Sequence, residues 1–354
     1  MSRSPAVRPC VRLLCLPDLD VPIGGCKQLY RQVEHLVELG WDAAVVTEAP
    51  GFRPSWFESS APSLDFASCR QRGDFELDRS IVVLPETYLG INLQNYYGVN
   101  LKRLARVVFN QNAYYSYDKI GLQPLDTLSR FYDAPEVLQV LCVSEDSHQL
   151  LSRNLGLADN RISRIINSIE PIFQAAATKS DTIHWLPRKN PEHALAILLG
   201  LRRGGVRHAK NWRAVPLQAM SHAALAERLN QARIFLSFGH PEGFSLPVME
   251  AMAAGCWVVG YSGGGADELF RLGPSEPVAF GDWEGFLISL QQALEGFTLH
   301  RRHTELRLAR QALAIRTLYG RDQEAASIQQ AWERILQAFH HWQHNRLQGS
   351  TTSP

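Results

Sequence analysis

Short apolar runs of strand length alternate with amphipathic stretches along the first half of the chain. Residues 11–16, 42–47, 80–84, 106–110, 137–144 and 161–166 read as strands. Residues 27–39, 94–104 and 146–154 read as helices, the first closed by Gly40. This alternation predicts a parallel α/β domain. From Glu170 and Pro171 through Ser180 the chain turns polar and loses its period, which predicts a linker. A strand at 182–186 and a helix from Pro191 open the second half, followed by a helix at 223–232. Strands at 234–238 and 257–261 then flank a helix that starts near Pro247 and stops at Gly255. Helices at 282–297 and 321–342 follow, the last carrying Trp332, Ile335, Leu336 and Phe339. Stretch 204–213 is ambiguous, 51–79 gives no readable pattern, and no internal repeat is visible. The end, 349–354, reads as a disordered tail.

Composition narrows the class. A chain of 354 residues fits two domains of ordinary size, and 45% hydrophobic against 20% charged residues is enough for sizeable cores. A net charge of +1 gives no reason to expect bulk nucleic-acid binding. The six cysteines lie without a Cys-x-x-Cys pair or metal spacing, and four sit in or beside apolar runs, as reduced core thiols do. No run approaches the length of a membrane span. Residues 1–16 carry Arg3, Arg8 and Arg12, but Pro9 and Arg12 break the apolar run too early for a signal peptide. The expectation is a cytoplasmic chain, with peripheral contact at the inner face of a membrane compatible with it.

Residues 233–269 carry the most chemistry. They read as strand, loop, helix, strand, Gly-rich loop and helix start. In an open parallel sheet, ligands sit beyond the carboxyl ends of the strands, where helix N-termini present free N–H groups. Glu242, Phe244, Ser245, Leu246 and Gly263 to Gly265 all fall on that edge. The pattern suits a ligand with hydroxyls and phosphates.

The run from Glu242 through Gly243, Phe244, Leu246, Pro247, Glu250, Ala251, Met252 and Ala253 to Gly255, with Gly264, Gly265 and Glu268 beyond the next strand, resembles the donor-sugar site of family 4-type glycosyltransferases. The spacing of Glu242 and Glu250 alone says little, since Glu268/Glu276 and Glu276/Glu284 repeat it. The intervening residues carry the signal, because they put one carboxylate on a loop and the other in a helix. The resemblance implies an α/β fold of two Rossmann-like domains facing across a cleft (GT-B), with the C-terminal helix crossing back to the N-terminal domain. The boundaries expected are an acceptor-binding domain at 1–172, a nucleotide-sugar donor domain at 173–325, a crossover helix at 326–345 and a tail at 346–354.

The activity it implies is retaining, metal-independent transfer of a sugar from a nucleotide-diphosphate sugar to an acceptor: a glycan, a lipid-linked glycan or a small molecule. No cofactor is implied beyond that donor substrate. On this resemblance Glu250 holds the ribose hydroxyls, a bidentate task suited to a carboxylate. Glu242, Gly243 and the backbone N–H groups of Phe244, Ser245 and Leu246 hold the sugar and phosphates. Arg188 and Lys189 face the diphosphate, where charge gathers as the glycosidic bond breaks. Glu242, Arg188 and Lys189 form the candidate catalytic set, and no protein nucleophile or base is named. Gly24, Gly25, Asn110 and Gln111 are the candidate acceptor residues, the amides offering donors and acceptors together.

The chain departs from the family in two places. Pro187 replaces a glycine before Arg188, and His193 stands where a lysine is usual. The segment between Leu186 and Ile234 is also too short for the two further strands the family places there; 209–217 can supply at most one. A catalytically silent sugar- or partner-binding relative is therefore the alternative reading. A dinucleotide-dependent enzyme using the glycines from Gly260 is weaker, since the Gly-x-Gly-x-x-Gly order is absent. Asp18-Leu19-Asp20 lacks a second acidic or His cluster, so it reads as a solvated loop and no metal is implied. Tyr114, Tyr115 and Tyr117 fit either sugar stacking or loop packing. The basic residues Arg202, Arg203, Arg207, His208, Lys210 and Arg213, and the stretch 300–310, read as solvated surface.

Overall fold

Seven parallel strands form the sheet of the first unit: β1 (Cys10–Leu14), β2 (Ala43–Thr47), β3 (Ser63–Asp65), β4 (Ser80–Pro85), β5 (Ala105–Phe109), β6 (Val137–Cys142) and β7 (Ile162–Arg164). Their order is β3-β2-β1-β4-β5-β6-β7. The structure is a computed structural model that describes residues 8–121, 124, 126–204, 206–218 and 220–350, the last two for their backbone only. The first unit takes the described residues up to Val143, Ser147–Ile166 and those from Ala325 onward; the second takes Ser144–Asp146 and Asn167–Glu324.

Sheets covered on both faces need apolar side chains at successive positions, and β2, β4, β5 and β6 are buried along their whole length. Arg12 is the exception inside β1. Its buried guanidinium is matched by Asp74 at 2.8 Å and Asp42 at 3.1 Å. The helix Gly24–Glu38 starts earlier than its pattern predicts, so Gly24 and Gly25 are its first residues rather than a loop before it. Gly40, at φ +77°, follows its end.

Two parts of this unit correct the sequence reading. Residues 94–104 are not one helix but two single turns, Leu93–Asn95 and Leu101–Arg103. Tyr97 at φ 47° and Gly98 at φ 78° reverse the chain between them. The reversal lets Val99, Leu101 and Leu104 all enter the core, which one helix face could not do. The unreadable 51–79 holds β3 and the helix Phe66–Gln71, capped by Asp65, which accepts from the Ser68 N–H at 2.8 Å. Asp18 and Asp20 are engaged rather than merely solvated: Asp18 accepts from the Glu48 and Ala49 N–H groups, and Asp20 from that of Ser55.

The second unit has a four-stranded parallel sheet, β8 (Ser180–Trp185), β9 (Arg213–Pro216), β10 (Ala232–Ser237) and β11 (Trp257–Gly260), in the order β11-β10-β8-β9. The short segment between β8 and β10 supplies the single strand β9. The basic residues Arg202, Arg203, Arg207, His208, Lys210 and Arg213 are exposed. Stretch 300–310 is not simple surface. It belongs to the helix Arg301–Leu318, whose buried Thr304, Leu308, Ala312 and Ile315 pack inward. Gln311 donates to the Cys256 carbonyl at 3.1 Å and Arg316 to that of Ala253 at 2.8 Å.

The last helix runs from Arg321 to Ser350, through positions 346–348 where a tail was expected; 351–354 and 1–7 lie outside the described residues. From Ala325 it belongs to the first unit, where Trp332 packs edge-on against Trp41 at 5.3 Å between centroids. No described helix is long and apolar enough to cross a membrane.

Candidate functional site

In the second unit, β8 leads to β9 on one side while β10 lies on the other, so the direction of strand addition reverses between β8 and β10. Ligands of open parallel sheets bind beyond the carboxyl ends at such a reversal. The carboxyl end of β8 delivers Arg188 and Lys189, and that of β10 delivers Glu242. These residues, with Ser237 and Ser245, line a pocket of about 30 Å³. That is room for about one water. A larger ligand must lie along the open edge.

Lys189 Nζ sits 3.0 Å from Glu242 Oε1 and donates to the Pro241 carbonyl at 2.9 Å. Arg188 is exposed and, among the described residues, pairs with no acid. Burial holds the His240 imidazole below its ordinary pKa, with Lys189 acting the same way and Glu242 opposing.

The Gly-rich loop after β11 clamps the Glu242 loop. Glu242 N–H donates to the Gly263 carbonyl at 2.9 Å, and Gly265 N–H donates to the Glu242 carbonyl at 3.0 Å. A Cβ on Gly265 would stand 2.2 Å from the Gly243 carbonyl oxygen, so the two backbones meet only because there is none.

Pro247 sits in the first turn of the helix Leu246–Ala253, after Ser245 at its N-cap. Leu246 N–H donates to the Phe244 carbonyl at 3.1 Å. The N–H groups of Phe244 and Ser245 make no hydrogen bond among the described residues. Glu250 lies one helical turn further, largely buried, with Oε1 3.3 Å from His222 Nε2. Glu268, which matched the sequence signature, is structural: it accepts from the Tyr319 hydroxyl at 2.7 Å and the Glu145 N–H at 2.9 Å.

His193, in the place of the usual lysine, is packed rather than free. Its Nδ1 lies 2.8 Å from the Tyr261 hydroxyl, its ring stacks on Phe280, and Trp283 meets it edge-on. Burial keeps the Tyr261 phenol protonated, its pKa raised above the ordinary value.

The sheet of the first unit reverses between β1 and β4. Gly25 and Gln111 meet at this edge, Gln111 Nε2 donating to the Gly25 carbonyl at 3.2 Å. Asn110 does not join them. It is buried, with Nδ2 donating to Tyr132 at 2.7 Å and Ser116 at 3.2 Å, so in this structure its amide is engaged internally. Beside it, buried Glu86 accepts from the Gln111 N–H at 2.9 Å, and loss of solvent pushes its pKa up to about 7. Among the described residues no group of three or more His, Cys, Asp or Glu side chains is arranged to hold a metal ion.

Sequence reasoning missed Glu86, His222 and Glu170. The signals were faint: a Glu just past a strand end, a His at a helix start, and a Glu in what reads as linker.

The family model "Glycosyl transferases group 1" matches residues 215–302, which hold Glu242 and Glu250. That segment, about a quarter of the chain, is similar to the group 1 glycosyl transferases. An alpha-1,6-glucosyltransferase of Actinobacillus pleuropneumoniae serotype 7 is 30% identical over 122 residues, 31% of this chain and 35% of that protein. The match thus spans about a third of that relative's length. Among solved structures, sucrose-phosphate synthase from Thermosynechococcus elongatus superposes with TM-score 0.70 at 15% identity, covering 94% of this chain and all of that one (100%). Anabaena HepE, solved in complex with UDP-glucose, gives TM-score 0.67 at 13% identity over 92% and 100% of the two chains. The glycosyl transferase fold of these proteins, GT-B, is therefore the fold of this chain.

Proposed function

We propose that the protein transfers a sugar from a nucleotide-diphosphate sugar to an acceptor, with retention at the anomeric carbon. The observation that carries this is the convergence of Glu242, Lys189 and Arg188 at the β8/β10 reversal, with Glu250 one turn into the helix Leu246–Ala253; Glu242 and Glu250 fall within the group 1 match. On this reading Glu250 takes the ribose hydroxyls, and the N–H groups of Phe244 and Ser245 take phosphate oxygens. Lys189 exchanges part of its pairing with Glu242 for the diphosphate, freeing the carboxylate for sugar hydroxyls. Arg188 adds charge where the leaving diphosphate becomes more negative, which lowers the barrier because the charge grows in the transition state. The glucosyltransferase relative and the UDP-glucose complex of HepE make UDP-glucose the first donor to try. Gly24, Gly25 and Gln111 remain the proposed acceptor side, and the acceptor is a glycan, a lipid-linked glycan or a small molecule.

One observation favours a second reading. Lys189 is already paired and His193 is packed among aromatic rings, which leaves fewer free cations for a diphosphate than the family pattern supplies. That arrangement suits a relative that binds nucleotide sugars without turning them over.

A panel of UDP-, GDP- and ADP-sugars separates the two. Release of nucleoside diphosphate by the wild type and its loss in Glu250→Ala support transfer. Binding without release supports the silent relative. Neither binding nor release with any donor refutes both.

A further inference from the structure

We infer that His222 is the positioning residue for Glu250, held in turn by Glu170; the inference rests on the reading of Glu250 as the ribose carboxylate. The three residues come from separate parts of the second unit. Glu170 follows β7, Glu250 sits in the helix Leu246–Ala253, and His222 opens the helix His222–Gln231. Ser221 caps that helix, its side chain accepting from the Ala224 N–H, which fixes the backbone from which His222 projects.

The ring has a carboxylate at each nitrogen: Glu250 Oε1 3.3 Å from Nε2, and Glu170 Oε2 3.2 Å from Nδ1. Phe173 meets the ring edge-on at 5.1 Å between centroids and limits its rotation. A neutral imidazole carries one N–H and an imidazolium carries two, so both carboxylates receive a hydrogen bond only in the charged form. Glu250 Oε2 accepts no hydrogen bond among the described residues. His222 thus fixes one oxygen of Glu250 and leaves the other for a vicinal diol. Without it, a nearly buried carboxylate loses a charge-assisted partner and turns away from the geometry a diol needs.

The test is calorimetric titration with UDP, GDP and ADP and their 2′,3′-dideoxy counterparts, on wild type, His222→Ala, Glu250→Ala and the double variant. The wild type should prefer the ribose form of its nucleotide. His222→Ala should weaken the ribose form by about tenfold, the worth of one hydrogen bond to a charged group, and leave the dideoxy form unchanged. The double variant should bind no more weakly than Glu250→Ala. Equal weakening of both forms would mean general damage and overturns the inference, as does no weakening of either. A wild type that binds nucleotides but ignores the ribose hydroxyls removes the ribose role of Glu250 and this inference with it, while nucleotide binding stands. A wild type that binds no nucleotide overturns the proposed function as well. Should the alanine variant not fold, His222→Gln and Glu170→Gln carry the comparison. The glutamine amide can still donate to Glu250 and should retain most of the ribose preference, whereas Glu170→Gln, which loosens the ring, should lose part of it.

Discussion

Replacing Glu86 by glutamine tests the electrostatics at the edge of the first unit's sheet. The carboxyl is fully buried, and desolvation outweighs the backbone N–H groups it accepts from, so its pKa rises from 4.5 to about 7. A raised pKa means that the folded protein holds this proton more tightly than the unfolded chain does. The stabilisation is therefore complete below about pH 4.5 and is lost as pH rises through about 7. That interval corresponds to about 3 kcal/mol, an order-of-magnitude figure. Glutamine is nearly isosteric, keeps an oxygen for the Gln111 N–H, and does not ionise. The difference in unfolding free energy between Glu86→Gln and wild type should move by about this amount in favour of the variant between pH 4.5 and pH 8. Urea unfolding of both proteins across that range measures it, and groups that titrate alike in both cancel in the difference. A difference that stays flat with pH would refute the reasoning, because Glu86 would then have no raised pKa. A variant that loses stability relative to wild type as pH rises would reverse its sign.

Three further outcomes follow from the geometry. Lys189→Met should lower turnover of a saturating donor by about tenfold to a hundredfold, the range for one charge-assisted contact, with unchanged turnover arguing that Arg188 alone serves the diphosphate. Gly265→Ala forces a Cβ to within 2.2 Å of the Gly243 carbonyl oxygen; it should destabilise the second unit by about 1–3 kcal/mol in thermal unfolding and disturb donor binding through the Glu242 loop. Asn110→Ala leaves Tyr132 and Ser116 without their buried amide and should cost about 1–3 kcal/mol of stability. If instead it changes acceptor affinity at unchanged stability, the internal role assigned to Asn110 is wrong.

The chain's local pattern was enough for the strands of both sheets' centres, because strands buried on both faces must be apolar at successive positions. It was also enough for the Glu242–Glu250 segment, where loop, N1 proline and helix follow one another within a few residues. It failed at 94–104 and 51–79, where a positive-φ reversal and a three-residue edge strand leave no periodic trace. What the sequence could not contain is partnership. Lys189 and Arg188 look equivalent in the chain, yet one is paired with Glu242 and the other is exposed. Asn110 and Gln111 are neighbours, yet alternation along the chain turns one amide into the core and the other toward Gly25. The glycines after β11 look like a phosphate loop, but their contacts are with the Glu242 backbone. Glu170, His222 and Glu250 lie far apart in sequence and become one unit only when the strands and helices between them pack. Hydrophobic burial along a single segment is a local property that residue order expresses. The pairing of charges and amides across segments depends on which strand ends lie side by side, and that is decided by the order of strands in the sheet.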